Sequence, residues 1–189
     1  MPDDRLYQLH AQAKKSLESG PQFNWSLRFD CAAQDLSNLM MPDVQKLAAG
    51  WRSEDIPEGF YFTHAQYYKN GIQHIIGELN RKPTSNRALY SLISQDHIDE
   101  SGDDPIPSFL TLQCQIADDV LYCTCYFRAL EVSNFLRINL EEIRQTLAEI
   151  HTGAPRFSKI RLEIFAFRAY LDDTHSSLLK PKLEILHDD

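Results

Sequence analysis

Apolar residues recur at near-helical spacing from Leu6 through Leu9 and Ala13 to Leu17, so residues 3–19 are expected to form a helix that ends at Gly20-Pro21. Acidic Asp3 and Asp4 suit its positive end. A strand is expected at residues 24–30 and a short helix from Pro42, where proline fits a first turn. From Thr63 onward, Ala65, Tyr68, Ile72, Ile75, Ile76 and Leu79 share one face of a predicted core helix that stops before Pro83. Residues 87–94 read as a strand, and the acidic stretch 95–104 as a surface loop. Two strands follow, 108–116 and 120–128, joined through Ala117-Asp118-Asp119 in a tight hairpin. In the second, Val120, Tyr122, Thr124 and Tyr126 alternate with Leu121, Cys123, Cys125 and Phe127, so both faces are largely apolar or aromatic and each needs a cover. Leu140, Ile143, Leu147 and Ile150 form the stripe of a second core helix, with Asn139 and Glu142 placed as cap and N3 partner. Residues 158–170 alternate as a long strand, and 181–186 suggest a last one. The expected class is α+β, as one domain over residues 1–189.

Composition narrows the options. A chain of 189 residues with 43% hydrophobic and 24% charged content is suited to one globular core. No apolar run approaches the roughly 20 residues that cross a bilayer, and the start Met1-Pro2-Asp3-Asp4 is acidic where a signal peptide is basic. A cytoplasmic protein with no membrane partner is expected. A net charge of -8 without a stripe of Lys and Arg argues against a broad nucleic-acid surface, yet leaves room for a small phosphorylated ligand held by one or two Arg. Cys31, Cys114, Cys123 and Cys125 show no framework or metal spacing, and the seven histidines form no ligand set. Cys123 and Cys125 share a strand face at the limit for bridging, and all four read as small buried thiols. No metal is expected.

The densest chemistry lies in Pro107-Ser108-Phe109, Gln113, Leu121, Cys123, Tyr126-Phe127-Arg128, Glu131 and Asn139. Without a gap, this run resembles the active-site half of thymidylate synthases, whose pattern is Pro-Cys-His, a Gln, Leu-x-Cys-x-x-Tyr-x-Arg, an Asp, and an Asn opening a helix. The similarity extends over about residues 60–170. It implies a mixed, mainly antiparallel sheet with helices on one side and the sheet back used for dimerisation. In that family the cysteine attacks C6 of a pyrimidine nucleotide, so that C5 becomes nucleophilic toward a one-carbon unit carried by folate.

This chain departs from the pattern where the chemistry is. Ser108 stands at the nucleophile position and Phe109 at the neighbouring histidine, so no catalytic residue is expected. A serine hydroxyl needs an adjacent base that the local motif lacks. The resemblance makes Arg128 a phosphate contact, the alternative being a surface arginine at a strand end. Arg87 matches one of two arginines that the family supplies across the dimer, and Tyr170 survives from a His-x-Tyr element that holds the ribose. Asn139 is either the base-reading amide or a helix cap. Glu131 replaces the family's Asp, and Gln113 keeps its Gln. Residues 1–60 show no copy of the family's glutamate-bearing helix, and the tail ending Leu186-His187-Asp188-Asp189 lacks the apolar segment that closes over folate, so no cofactor is expected.

The reading that unites these losses is a catalytically silent relative, acting as a pyrimidine-nucleotide-binding or protein-assembly module. It is expected to form a homodimer, or a heterodimer with a related chain. The alternative is an active pyrimidine-nucleotide C5-modifying enzyme, methyl- or hydroxymethyltransferase-like, with a nucleophile recruited from Cys114, Cys123 or Cys125.

Overall fold

A computed structural model describes residues 3–102 and 104–172. Helix α1 (Arg5–Ser16) precedes strand β1 (Gln22–Ala32), a 3-10 turn (Ala33–Ser37), α2 (Gln45–Trp51), α3 (His64–Tyr68) and α4 (Gly71–Arg81). Then come β2 (Leu89–Ser91), α5 (Gln95–Ser101), β3 (Phe109–Ala117), β4 (Val120–Phe127), β5 (Leu130–Glu131), α6 (Phe135–Gly153) and β6 (Lys159–Tyr170). The chain is α+β, with a mixed, open six-stranded sheet ordered β1-β6-β4-β3-β2 and β5 paired to the far end of β6. β6 runs antiparallel to β1 but parallel to β4 and β5. The strand expected at 181–186 and the tail both lie outside the described residues.

The hairpin closes on two residues, Asp118 and Asp119, both in the left-handed region at φ 48° and 65°, between the paired Ala117 and Val120. That geometry matches the twist of the strands, and Asp tolerates it. Leu121, Cys123, Cys125 and Phe127 of β4 and Ile160, Leu162, Ile164 and Ala166 of β6 are buried in one core with Ile143, Leu147 and Ile150 of α6. The opposite face is open: Tyr122, Tyr126 and Phe165 remain exposed, Phe23 is 63% and Phe167 64% exposed, and the rings of Phe23 and Phe167 touch edge to face at 5.6 Å. Among the described residues, the second apolar face of β4 therefore has no cover.

Five expectations need correction. The helix from Thr63 is two helices, broken at Lys69, whose φ is 49°. The break brings α4 so close to β2 that a Cβ on Gly71 would lie 2.5 Å from Tyr90 Cβ. The strand at 87–94 shortens to Leu89–Ser91, and the acidic loop contains α5, which a capping box between Ser94 and His97 initiates. The helix from Pro42 starts at Gln45, after a turn. Finally, Asn139 does not cap α6. The helix begins one turn earlier, at Phe135, and Glu142 pairs elsewhere.

Candidate functional site

A cavity of about 630 Å³ opens where the start of β3, the end of β4 and the N-terminal half of α6 converge beneath the segment 60–64. Its walls are aromatic, with Trp51, Phe60, Phe62, Phe109, Phe127 and Phe135 among the lining residues. Trp51 stacks on Phe135 at 5.8 Å, and Phe109 on Phe127 at 4.7 Å. Ser108, Arg128, Glu131, Asn139 and Tyr170 all line this cavity.

Ser108 and Arg128 are brought together by the sheet. The Arg128 backbone N–H donates to the Ser108 carbonyl at 2.9 Å, beside the paired Phe109 and Phe127. The Arg128 guanidinium donates to the carbonyls of Ile106 (3.0 Å) and Pro107 (3.3 Å), which brace it at the cavity rim. No carboxylate among the described residues neutralises it. A guanidinium braced by carbonyls, with no carboxylate partner among the described residues, is suited to an anion.

Asn139 is inside α6 and only 4% exposed, and its Oδ1 is buried with no hydrogen-bond partner among the described residues. An orphan of this kind costs about 1–3 kcal/mol when nothing pairs with it. Helix capping, one of the two readings of Asn139 in the sequence, is thereby removed.

Glu131 takes the capping role instead. Its carboxylate accepts from the backbone N–H groups of Ser133, Asn134 (2.9 Å) and Phe135 (3.0 Å), and from Asp172 at 3.4 Å. The negative charge sits at the positive end of α6. Tyr170 is half-buried, with the Arg168 guanidinium 4.7 Å over its ring, and burial followed by the Glu131 charge raises its hydroxyl pKa.

Arg87 and Gln113 do not line the cavity. Arg87 is exposed, its carbonyl accepting from His74 Nε2 at 2.9 Å, and Gln113 donates to the Asn86 carbonyl at 3.3 Å. They stand near each other at the β2 edge, since Gln113 pairs with Leu89.

One pair, His64 in the cavity wall and Glu142 behind it, has no signature in the sequence. His64 Nδ1 lies 2.8 Å from Glu142 Oε1 and 2.9 Å from Oε2, across 78 residues, and the two side chains are 4% and 2% exposed. His64 is positioned by the capping box of α3: Thr63 and Gln66 exchange hydrogen bonds, and Thr63 Oγ1 donates to the Ser53 carbonyl at 2.6 Å. Only the approach of α3 to α6 gives the imidazole its carboxylate.

The cysteines are free and buried. Cys114 faces Cys123 across β3 and β4, and this thiol contact together with burial holds the Cys114 thiol well above its ordinary range, as burial does for Cys125. None of the four lines the cavity. Among the described residues, no three His, Cys, Asp or Glu side chains gather as metal ligands, and no helix is long and apolar enough to cross a membrane. No protein-family model matches the chain, and no curated protein matches it significantly.

Proposed function

We propose that this chain is a catalytically silent thymidylate synthase-like protein that binds a pyrimidine nucleotide in the cavity. The observation that carries the reading is one aromatic-walled cavity lined both by Asn139, whose buried Oδ1 has no hydrogen-bond partner among the described residues, and by Arg128, whose guanidinium meets no carboxylate among them. A flat base with a hydrogen-bonding edge complements the amide and the aromatic walls, and a phosphate complements the arginine. Ser108, Arg128, Asn139 and Tyr170 are the ligand-facing set, with Ser108 in place of a thiol. Glu131 shapes the site through the α6 terminus. The alternative, a C5-modifying enzyme using another thiol, finds no support in Cys114, Cys123 or Cys125, which are at most 1% exposed and outside the cavity.

Calorimetry and thermal shift with uridine and cytidine 5′-monophosphates test the reading. Binding is expected, and Arg128→Ala is expected to weaken it by about tenfold or more with little change in melting temperature. Silence across both nucleotides would overturn it.

The open sheet face is proposed as the seat of a second copy. Phe23, Tyr122, Tyr126, Phe165 and Phe167 make it apolar, and the ion pairs Arg28–Glu163 and Arg161–Asp30 put both signs of charge on the same surface, as a self-complementary interface requires. Sedimentation is expected to report a dimer that Phe167→Glu converts to monomer. A monomeric parent protein would remove the proposal.

A further inference from the structure

The nucleotide reading leaves the His64–Glu142 pair without a task. Both groups are withdrawn from water, which costs several kcal/mol that a pair recovers only with good geometry. Two aliphatic side chains would fill the same space without that penalty. The hydrogen-bonded pair nevertheless places its imidazole in the wall of a cavity, where the second ring nitrogen has something to meet.

Glu142 does not line the cavity and His64 does, so the imidazole stands between the carboxylate and the open space. An ionised carboxylate only accepts, so Nδ1 carries the proton of the pair and Nε2 is the free nitrogen. No hydrogen bond among the described residues reaches Nε2. The ring is boxed by Trp51 at 4.5 Å and Phe109 at 5.7 Å, which limits its rotation. Asn139 lies one turn before Glu142 on the same side of α6. Two residues that line one aromatic-walled space thus each keep a polar atom, Asn139 Oδ1 and His64 Nε2, without a hydrogen-bond partner among the described residues.

We propose that His64, held in orientation by Glu142, is a recognition residue of the cavity whose Nε2 pairs with an N–H or O–H group of the ligand's ring or sugar. The assignment rests on the nucleotide-binding reading above. It makes the cavity select the nucleoside part of its ligand, whereas Arg128 at the rim holds the anionic part whatever is attached to it. Glu142 is the positioning residue, acting through the imidazole.

The test uses the full chain, with uridine 5′-monophosphate and ribose 5-phosphate as probes, read by calorimetry and by thermal melting. In the double variant His64→Phe with Glu142→Leu no charge remains buried, so the melting temperature is expected to match or exceed that of the parent protein. Affinity for uridine 5′-monophosphate is expected to fall by about tenfold or more, while that for ribose 5-phosphate is unchanged. A purely structural pair predicts the reverse, a lower melting temperature with both affinities intact. Unchanged nucleotide affinity would overturn the role of His64 and leave the nucleotide reading standing, as would an equal loss for both probes. A parent protein that binds neither probe would overturn both at once. Should the double variant not fold, Glu142→Leu decides on its own, because it removes the acceptor that orients the imidazole: a selective loss of nucleotide affinity supports the assignment, and no selective loss overturns it.

Discussion

Replacing Glu141 by alanine is expected to cost about 4 kcal/mol of folding stability and to lower the melting temperature by about 10 °C. Glu141 is 0% exposed, and its carboxylate meets the Arg144 guanidinium at 2.7 and 2.9 Å. It also accepts from the Met41 backbone N–H at 3.0 Å and from Gln145 at 3.0 Å. Arg144 donates in turn to the Leu36 carbonyl at 2.8 Å, so one buried cluster ties α6 to the 3-10 turn and to the segment before α2. Removing the carboxylate strands a buried guanidinium and an orphaned N–H. Substituting both partners, Glu141→Leu with Arg144→Met, is expected to recover much of the loss, because no charge is then left unpaired. Urea denaturation of the three proteins measures this. A loss below about 1 kcal/mol for Glu141→Ala would mean that the guanidinium finds water instead.

Glu131→Ala is expected to cost about 3 kcal/mol, because its carboxylate alone accepts from three successive N–H groups that open α6. Hydrogen exchange at Ser133, Asn134 and Phe135 is expected to quicken more than exchange elsewhere in α6, locating the damage at the helix terminus. Glu131→Gln, which keeps one acceptor oxygen, is expected to fall between the two. A direct ligand contact behaves otherwise, losing affinity while denaturation midpoints stay put. Because Glu131 also lines the cavity, the comparison separates a residue that shapes the site from one that grips its occupant.

How far the candidate site was readable depended on the range of the contacts. Ser108 and Arg128 meet through strand pairing between sequence neighbours in a hairpin, and that pairing follows from an alternating pattern around a two-residue turn. Asn139 was ambiguous, because asparagine before an apolar stripe suits a cap as well as a site. Leu136 already belongs to the stripe that continues through Leu140, Ile143, Leu147 and Ile150, and tracing it back would have moved the helix start upstream of Asn139. The resemblance groups Gln113 with the site and has Arg87 reach the site of a second copy; in the described chain both stand at the β2 edge and neither lines its own cavity.

Alternation and helical spacing are enough, without coordinates, to reveal an α+β chain with a hairpin at Asp118-Asp119, a long strand before Tyr170 and two core helices, since these depend on neighbours within a few residues. The break at Lys69, the union of His64 with Glu142 and the sheet face left uncovered among the described residues come from three-dimensional packing. Each depends on which distant surfaces meet: Gly71 against Tyr90, α3 against α6, and all the core-facing strand residues turned to one side. Whether a buried polar atom has a partner is a property of such meetings. No local pattern encodes it.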